Sequence, residues 1–252
     1  MNYSDRVNET WCHSAPGASP QDYRELVRYA TLAASSHNTQ PWIFELDANR
    51  IRVLPDLSRR CPAVDPDDHH LYASLGCATE NLLLAAQAVG LKGRCQFDVS
   101  TSGVVIDFEE AMAAQSALFE AIPLRQCSRS EYDGVPLAAE VLEQLQVAGQ
   151  GDGVSVLLMT DADQKALVAD YVVKGNDAQF ADPEWARELK AWIRFNGKEA
   201  VLSGDGLYGP VMGNPAVPAC RQKRRDPPPA FEIIRGDLGD ARVAVAPVEQ
   251  ND

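Results

Sequence analysis

Hydrophobic and polar residues follow two different periods in the first part of the chain. From residue 20 to residue 33 apolar side chains recur at intervals of three and four, which predicts an amphipathic helix that begins after the N-cap pair Ser19-Pro20. Apolar and polar positions then alternate over residues 42–46 and 50–54, on either side of the turn-forming residues 47–49. This period of two, interrupted by a turn, predicts a β-hairpin.

A longer apolar segment at residues 71–90 predicts a second helix, with Gly90 just beyond its C-terminus. From Leu82 to Val89 nearly every side chain is apolar, so this part lacks the polar face of a surface helix. We therefore expect the helix to be buried on all sides, either in the centre of the domain or at an interface between subunits.

The rest of the pattern predicts short strands and helices between two irregular ends. We expect strands over 94–99, 103–108 and 154–159, the last of them buried, and helices over 109–120, 136–146, 162–174 and 183–196, with Asp161 as the cap of the third helix. Residues 1–18 are polar without a period and predict a flexible N-terminal arm. Residues 196–252 begin with a segment rich in Gly and Pro and predict a lid or a disordered tail.

The composition restricts the class of protein. Of 252 residues, 45% are hydrophobic and 23% are charged, as in a soluble globular protein with a sizeable core. A formal net charge of -13 opposes broad binding to nucleic acid or to an anionic membrane, because both require clustered cations. The N-terminus lacks the apolar segment of a signal peptide, and no run approaches the roughly 18 apolar residues of a membrane span. We therefore expect a cytoplasmic protein.

The six cysteines and four histidines show no metal-binding spacing. No two cysteines form a C-x-x-C pair, so the chain contains neither a zinc-ribbon motif nor a thioredoxin-type motif. His69-His70 lies beside Asp65, Asp67 and Asp68, but we interpret this run as an exposed acidic loop. We expect reduced cysteines and assign no residue to a metal site.

Two stretches concentrate side chains that form hydrogen bonds. The first, residues 34–42 (ASSHNTQPW), lies between the predicted helix and the predicted hairpin and ends in a proline and a tryptophan. The second, residues 121–130 (AIPLRQCSRS), carries two arginines four positions apart beside small polar side chains. By spacing alone, the first stretch fits a ligand-binding loop and a helix C-terminus followed by turn residues equally well.

Three motifs taken together resemble the nitroreductase family of flavin enzymes, and most closely its Acg-like branch, in which two nitroreductase-like halves share one chain. Residues 36–42 match the family's S-x-N-x-Q-P-W loop, and residues 76–91 match its G-x-A-x-x-N-L-L-L-A-A-x-x-x-G-L helix. Residues 121–129 approximate its A-I-x-x-R-R-S-x-R signature. The resemblance covers about residues 20–213 and is strongest from 26 to 91.

The resemblance implies an α+β fold, in which a central mixed sheet is flanked by helices and FMN lies at the junction of two like halves. By position, the residues that would contact FMN are Ser35, Ser36 and Asn38, and those in the phosphate signature are Arg125, Cys127 and Arg129. The chemistry agrees, because guanidinium groups form bidentate, charge-assisted bonds to phosphate oxygens. Serine and asparagine offer donors and acceptors to the polar groups of a flavin.

The sequence departs from the family pattern at three places. Cys127 stands where a serine or threonine is usual, and its thiol is a weaker donor to phosphate. Ala34 stands where a proline commonly precedes the first serine. Beyond Gly204 the sequence no longer follows the helix and strand that complete the second half in the Acg-like branch. We therefore expect a first half at residues 19–120 and an incomplete second half at residues 121–195.

The function implied by the resemblance is electron transfer from NAD(P)H through FMN to a nitroaromatic, a quinone or a similar small acceptor. The chain has no G-x-G-x-x-G fingerprint, so NAD(P)H would be a transient co-substrate. We assign no catalytic acid or base. The alternatives are a flavin-sequestering protein with little turnover and a remnant that binds no flavin. If a second subunit supplies the missing half, the helix at 71–90 should form a homodimer interface.

Overall fold

The computed structural model describes residues 2–13, 23–127 and 132–212. The α-helices of these residues are α1 (Tyr3–Thr10), α2 (Tyr23–Thr31), α3 (His69–Ala88), α4 (Ala117–Ala121), α5 (Ala139–Gly149), α6 (Ala162–Ala181), α7 (Pro183–Trp192) and α8 (Gly197–Ser203). The strands are β1 (Trp42–Asp47), β2 (Arg50–Pro55), β3 (Leu91–Asp98), β4 (Gly103–Glu110), β5 (Ile193–Arg194) and β6 (Leu207–Tyr208). Short 3-10 turns form at Ser36–Asn38, Leu57–Arg59, Ile122–Leu124 and Gly209–Met212.

Two β-hairpins build the larger sheet. β1 pairs with β2, with Asp47 opposite Arg50, and β3 pairs with β4, with Asp98 opposite Gly103. β2 also pairs with β4, which gives the order β1-β2-β4-β3 with antiparallel neighbours throughout. A parallel pair, β5 with β6, forms a separate two-stranded sheet. The predicted α+β class is confirmed, and the first predicted hairpin forms at its predicted position.

The hydrophobic core lies between this sheet and two helices. Alternate residues of β2, Ile51 and Val53, are 0% exposed and belong to one hydrophobic cluster with Ile106 of β4. α3 packs against α2 and against β2 and β3. The apolar residues that recur at every second position in the strands and at every third or fourth position in the helices therefore face the same core.

Helix α3 is buried on one side only. Between Leu82 and Val89, the buried residues are Leu82, Ala85 and Ala86, and Gln87 is exposed. The prediction that the domain centre surrounds this helix is wrong for the single chain, because only one face of α3 meets the sheet and α2. The subunit-interface alternative is left as a prediction.

The described residues divide into two compact units. One comprises residues up to 126 together with those from 184 onward, and the other comprises residues 127–183. The first unit holds both sheets and the hydrophobic cluster. The second holds α5 and α6, neither of which contains a buried residue. The assignment of residues 19–120 and 121–195 to two nitroreductase-like halves stays a prediction.

The Ala-rich segment at 109–120 is not the predicted helix. β4 continues to Glu110, where the pairing with Leu91 of β3 extends the ladder. A helix begins only after Ser116, whose side chain caps α4. Cross-strand pairing therefore overrides the helix propensity of Glu109 and Glu110 at the start of this segment.

Three further predictions differ from the structure. Residues 3–10 of the predicted arm form α1, because Asn2 and Asp5 make a capping box. Residues 154–159 make no strand, and Leu157 is 81% exposed, since no described strand pairs along this segment. The first part of the predicted irregular tail contains α8, capped by Asn196. The rest of that tail, from residue 213, lies outside the described residues.

Candidate functional site

The polar stretch after α2 forms a compact loop with an unusual backbone. Ser36–Asn38 make a 3-10 turn, and φ is 49° at His37, 51° at Asn38 and 51° at Gln40. Positive φ is uncommon for residues other than glycine and concentrates at functional sites. The Ser35 hydroxyl accepts a hydrogen bond from the Gln40 backbone N–H at 3.0 Å, which closes the loop.

This loop is bound to a segment far away in the sequence, residues 204–206. The Asn38 side-chain amide donates to the Gly206 carbonyl at 3.1 Å, and the Gly206 N–H donates to the Asn38 carbonyl at 3.0 Å. The Gln40 side-chain amide donates to the Gly204 carbonyl at 2.6 Å. Residues 204–206, which belong to the segment predicted as a lid or a disordered tail, are therefore docked on the candidate flavin loop.

An aspartate between two arginines fixes the same junction. Asp205 receives hydrogen bonds from Arg194 at 2.6 Å and from Arg59 at 2.8 Å, and Arg59 also donates to the Thr39 carbonyl at 2.7 Å. Burial acts to raise the pKa of Asp205, but the hydrogen bonds from Arg194 and Arg59 outweigh it and lower the pKa below its ordinary value. The network ties the loop, the turn before Arg60 and the 204–206 segment together.

One residue of the arginine stretch, Arg125, contacts the chain at the same end of α2. Arg125 Nη2 donates to the Leu32 carbonyl at 3.1 Å, and its guanidinium lies over the Trp11 ring at 5.2 Å. The buried Ile122 anchors the 3-10 turn that precedes this arginine. Cys127 is exposed and belongs to the second unit. Arg129 lies outside the described residues.

A small cavity lies behind the loop. It is lined in part by Ser36, Thr39 and Cys61, and it holds about 10 Å³, enough for one water molecule. A flavin ring does not fit inside it. This cavity therefore does not enclose a site for a flavin.

A cluster of reactive side chains includes one residue of the loop. His37 Nδ1 and Cys61 Sγ are 3.7 Å apart, and the Glu188 carboxylate lies close to both. Burial raises the pKa of the Cys61 thiol to about 12, and the carboxylates of Glu188 and Asp65 act in the same direction. Burial lowers the pKa of His37, and Glu188 opposes this shift. Cys61 is therefore a thiol at neutral pH, and a thiol is not a nucleophile.

The structure places the predicted residues unevenly. Ser35, Ser36 and Asn38 lie in one loop. Arg125 contacts Leu32, which lies between the end of α2 and this loop. The sequence did not indicate the roles of Asp205 and Glu188, each of which has a partner more than a hundred residues away. The glycines on either side of Asp205 were a signal for a tight turn, but nothing in the spacing indicated what that turn contacts.

Comparison with known proteins identifies relatives by sequence. No family model matches the chain. Two curated proteins from two strains of Mycobacterium tuberculosis, each named "Putative NAD(P)H nitroreductase", are 28% identical to it over 218 residues. The match covers 81% of this chain and 55% of each relative, so the chain spans about half the length of the curated relatives it matches. None of the helices in the described ranges is long and apolar enough to cross a membrane. This similarity, together with the three motifs, supports the membership of the chain in the nitroreductase family.

Proposed function

We propose that the protein is an FMN-dependent oxidoreductase that takes electrons from NAD(P)H and passes them to a small acceptor such as a nitroaromatic or a quinone. The observation that carries the proposal is the contact of Arg125 with the Leu32 carbonyl, three residues before Ser35. This contact brings Arg125 to the end of α2 from which the serine loop continues. A guanidinium beside hydroxyl and amide groups is a donor set that suits a cofactor with a phosphate and a polar ring.

The residues of this chain would bind and orient the cofactor. The Ser35 hydroxyl accepts from the Gln40 N–H and can donate its own proton to a flavin oxygen. Ser36 is half-buried on the same turn and offers a second hydroxyl. Arg125, with Arg129 and Cys127 of the same signature, would hold the phosphate. Bound FMN would supply the hydride and electron chemistry, so the protein needs no acid or base of its own for it.

Anaerobic reduction tests the activity. We expect the FMN-loaded protein to lose its flavin absorbance at about 450 nm when NADPH or NADH is added, because the bound flavin accepts a hydride. Addition of a quinone or a nitroaromatic should then restore the absorbance. Bound flavin that stays oxidised with both nucleotides would contradict the oxidoreductase.

Substitution of Arg125 tests the phosphate site. We expect Arg125→Ala and Arg129→Ala each to weaken FMN binding by about 1.5–3 kcal/mol, because each removes a charge-assisted hydrogen bond. Arg94→Ala is a matched control, since the Arg94 side chain is 70% exposed on β3. Equilibrium titration of FMN fluorescence measures all three affinities. FMN affinity that is unchanged in both signature variants would remove this stretch from the site.

A second candidate is a flavin-sequestering protein with little turnover. The observation that favours it is the docking of residues 204–206 on the loop, which engages the side chains of Asn38 and Gln40. A segment held there would restrict the approach of an acceptor. Tight FMN binding without reduction by either nucleotide would favour this candidate over the oxidoreductase.

A further inference from the structure

Three side chains with metal-binding atoms converge beside the candidate flavin loop. One ligand atom from each of His37, Cys61 and Glu188 lies within 4.8 Å of the other two. The residues come from three separate segments: the 3-10 turn of the loop, the residues after the Leu57–Arg59 turn, and α7. All three segments belong to the first compact unit.

The separation of the first two ligand atoms suits one zinc ion. A tetrahedral site with Zn–S and Zn–N bonds of about 2.3 and 2.0 Å places the two ligand atoms about 3.5 Å apart. The His37 Nδ1 to Cys61 Sγ distance is 3.7 Å. Without a metal the same distance is a long S–H···N hydrogen bond, so the separation alone leaves both interpretations open.

The carboxylate distinguishes the two interpretations. Glu188 accepts hydrogen bonds from the backbone N–H groups of Ala63 at 2.9 Å and Val64 at 3.2 Å, which fix its orientation two residues after Cys61. Metal-binding carboxylates are commonly oriented by such outer hydrogen bonds. Within the described ranges no lysine or arginine forms an ion pair with Glu188, which is half-buried. A thiol bonded to a neutral imidazole leaves this carboxylate with its two backbone N–H donors, whereas a divalent ion would also neutralise its charge.

We propose that His37, Cys61 and Glu188 bind one Zn²⁺ ion, with a water molecule in the fourth position. The mixed sulfur, nitrogen and oxygen donor set matches zinc, whereas calcium and magnesium prefer oxygen ligands alone. Binding replaces the proton of the Cys61 thiol, which is released to solvent. The ion would join the loop that carries Ser35 and Asn38 to α7. This proposal does not depend on whether the protein binds FMN.

Spectroscopic titration of the full chain tests the site. After removal of metals with a chelator, addition of Co²⁺ should produce a near-ultraviolet thiolate-to-cobalt band that saturates at one ion per chain, and Zn²⁺ should displace it. Because zinc would bind the folded chain at preformed ligands, it should also raise the melting temperature of the flavin-free protein. A wild-type protein that gives no thiolate band would show a hydrogen-bonded thiol only and would overturn the proposal.

Matched variants locate the ion. Cys61→Ser and His37→Asn should each weaken Zn²⁺ binding by at least about 100-fold, the upper end of the loss for an outer hydrogen-bond partner. Asparagine at position 37 keeps a residue that tolerates the positive φ. Cys77→Ser, at an exposed cysteine on α3, should keep full binding. Glu188→Gln is the second measurement if a loop variant fails to fold. Zn²⁺ affinity in Cys61→Ser and His37→Asn that equals the wild-type affinity would overturn the proposal.

Discussion

Asp205 is the residue of the candidate site whose contribution to the free energy of unfolding can be measured most directly. Its side chain is 11% exposed and is bonded to Arg194 and Arg59 at 2.6 and 2.8 Å. Truncation would leave the Arg194 guanidinium, which is 12% exposed, without this anion, whereas Arg59 keeps an ion pair with Asp56 at 3.6 Å. We therefore expect Asp205→Ala to lower the free energy of unfolding by about 3 kcal/mol. Urea denaturation measures the change. Asp170→Ala, which breaks an exposed pair with Lys174, is the control and should cost at most about 0.5 kcal/mol.

The same aspartate predicts a dependence of stability on pH. Because its pKa is lowered in the folded protein, the unfolded chain takes up the Asp205 proton at higher pH than the folded protein does. The stabilisation is complete above the ordinary carboxyl pKa and is lost as pH falls through the folded-state pKa. We expect the stability difference between wild type and Asp205→Ala to be constant near neutrality and to shrink below about pH 4. A difference that grows on acidification would contradict the ion-pair account.

Individual site residues differed in how far the sequence could predict them. That Ser35, Ser36 and Asn38 lie together was predictable, because they fall within four positions of one motif. The approach of Arg125 to Leu32 was implied only by the family resemblance, since a contact across ninety-three positions leaves no local pattern. The Glu188 contacts with Ala63 and Val64 were not predictable, because a glutamate on a helix is expected to be exposed to solvent.

The docking of the 204–206 segment on the loop depends on the backbone conformation of its two glycines. Gly206 has φ of +78°, and a Cβ there would lie 2.5 Å from the Trp192 carbonyl. Gly204 has φ of +67° but open space around it. We expect Gly204→Ala to cost about 1–2 kcal/mol of stability through the left-handed backbone alone. Gly206→Ala should cost at least about 1 kcal/mol more, because the backbone must also shift.

Thermal unfolding of the two alanine variants measures this difference, and Gly204→Ala is the control for φ. The predicted larger loss at Gly206 requires the segment to be packed as described against the end of α7. Equal losses in the two variants would contradict that packing.

Secondary structure was predictable where one period was long and uninterrupted. The hairpin of β1 and β2 and the long helix α3 formed near their predicted positions. The predictions failed where tertiary pairing decided the outcome: β4 extended through residues with helix propensity, and residues 154–159 had no described strand to pair with. The docking of residues 204–206 on the loop was not predictable, because glycines indicate turns but not the partners of those turns.

At the scale of the whole molecule, we expect α3 to form a homodimer interface through its exposed face. Gly76 lies on that face, and a Cβ there would meet no atom within 4 Å in the single chain. Gly76→Arg should therefore leave the fold of the subunit intact and convert the dimer to a monomer. Light scattering coupled to gel filtration measures both masses. A wild-type protein that is only monomeric would contradict this assembly.

The central claim is that the chain binds FMN through the loop after α2 and the arginine stretch. The most direct measurement is reconstitution of the purified full chain with excess FMN, followed by gel filtration and a flavin spectrum of the protein peak. The account predicts a yellow protein with one FMN per chain and quenched flavin fluorescence. A colourless protein that retains no FMN would contradict it.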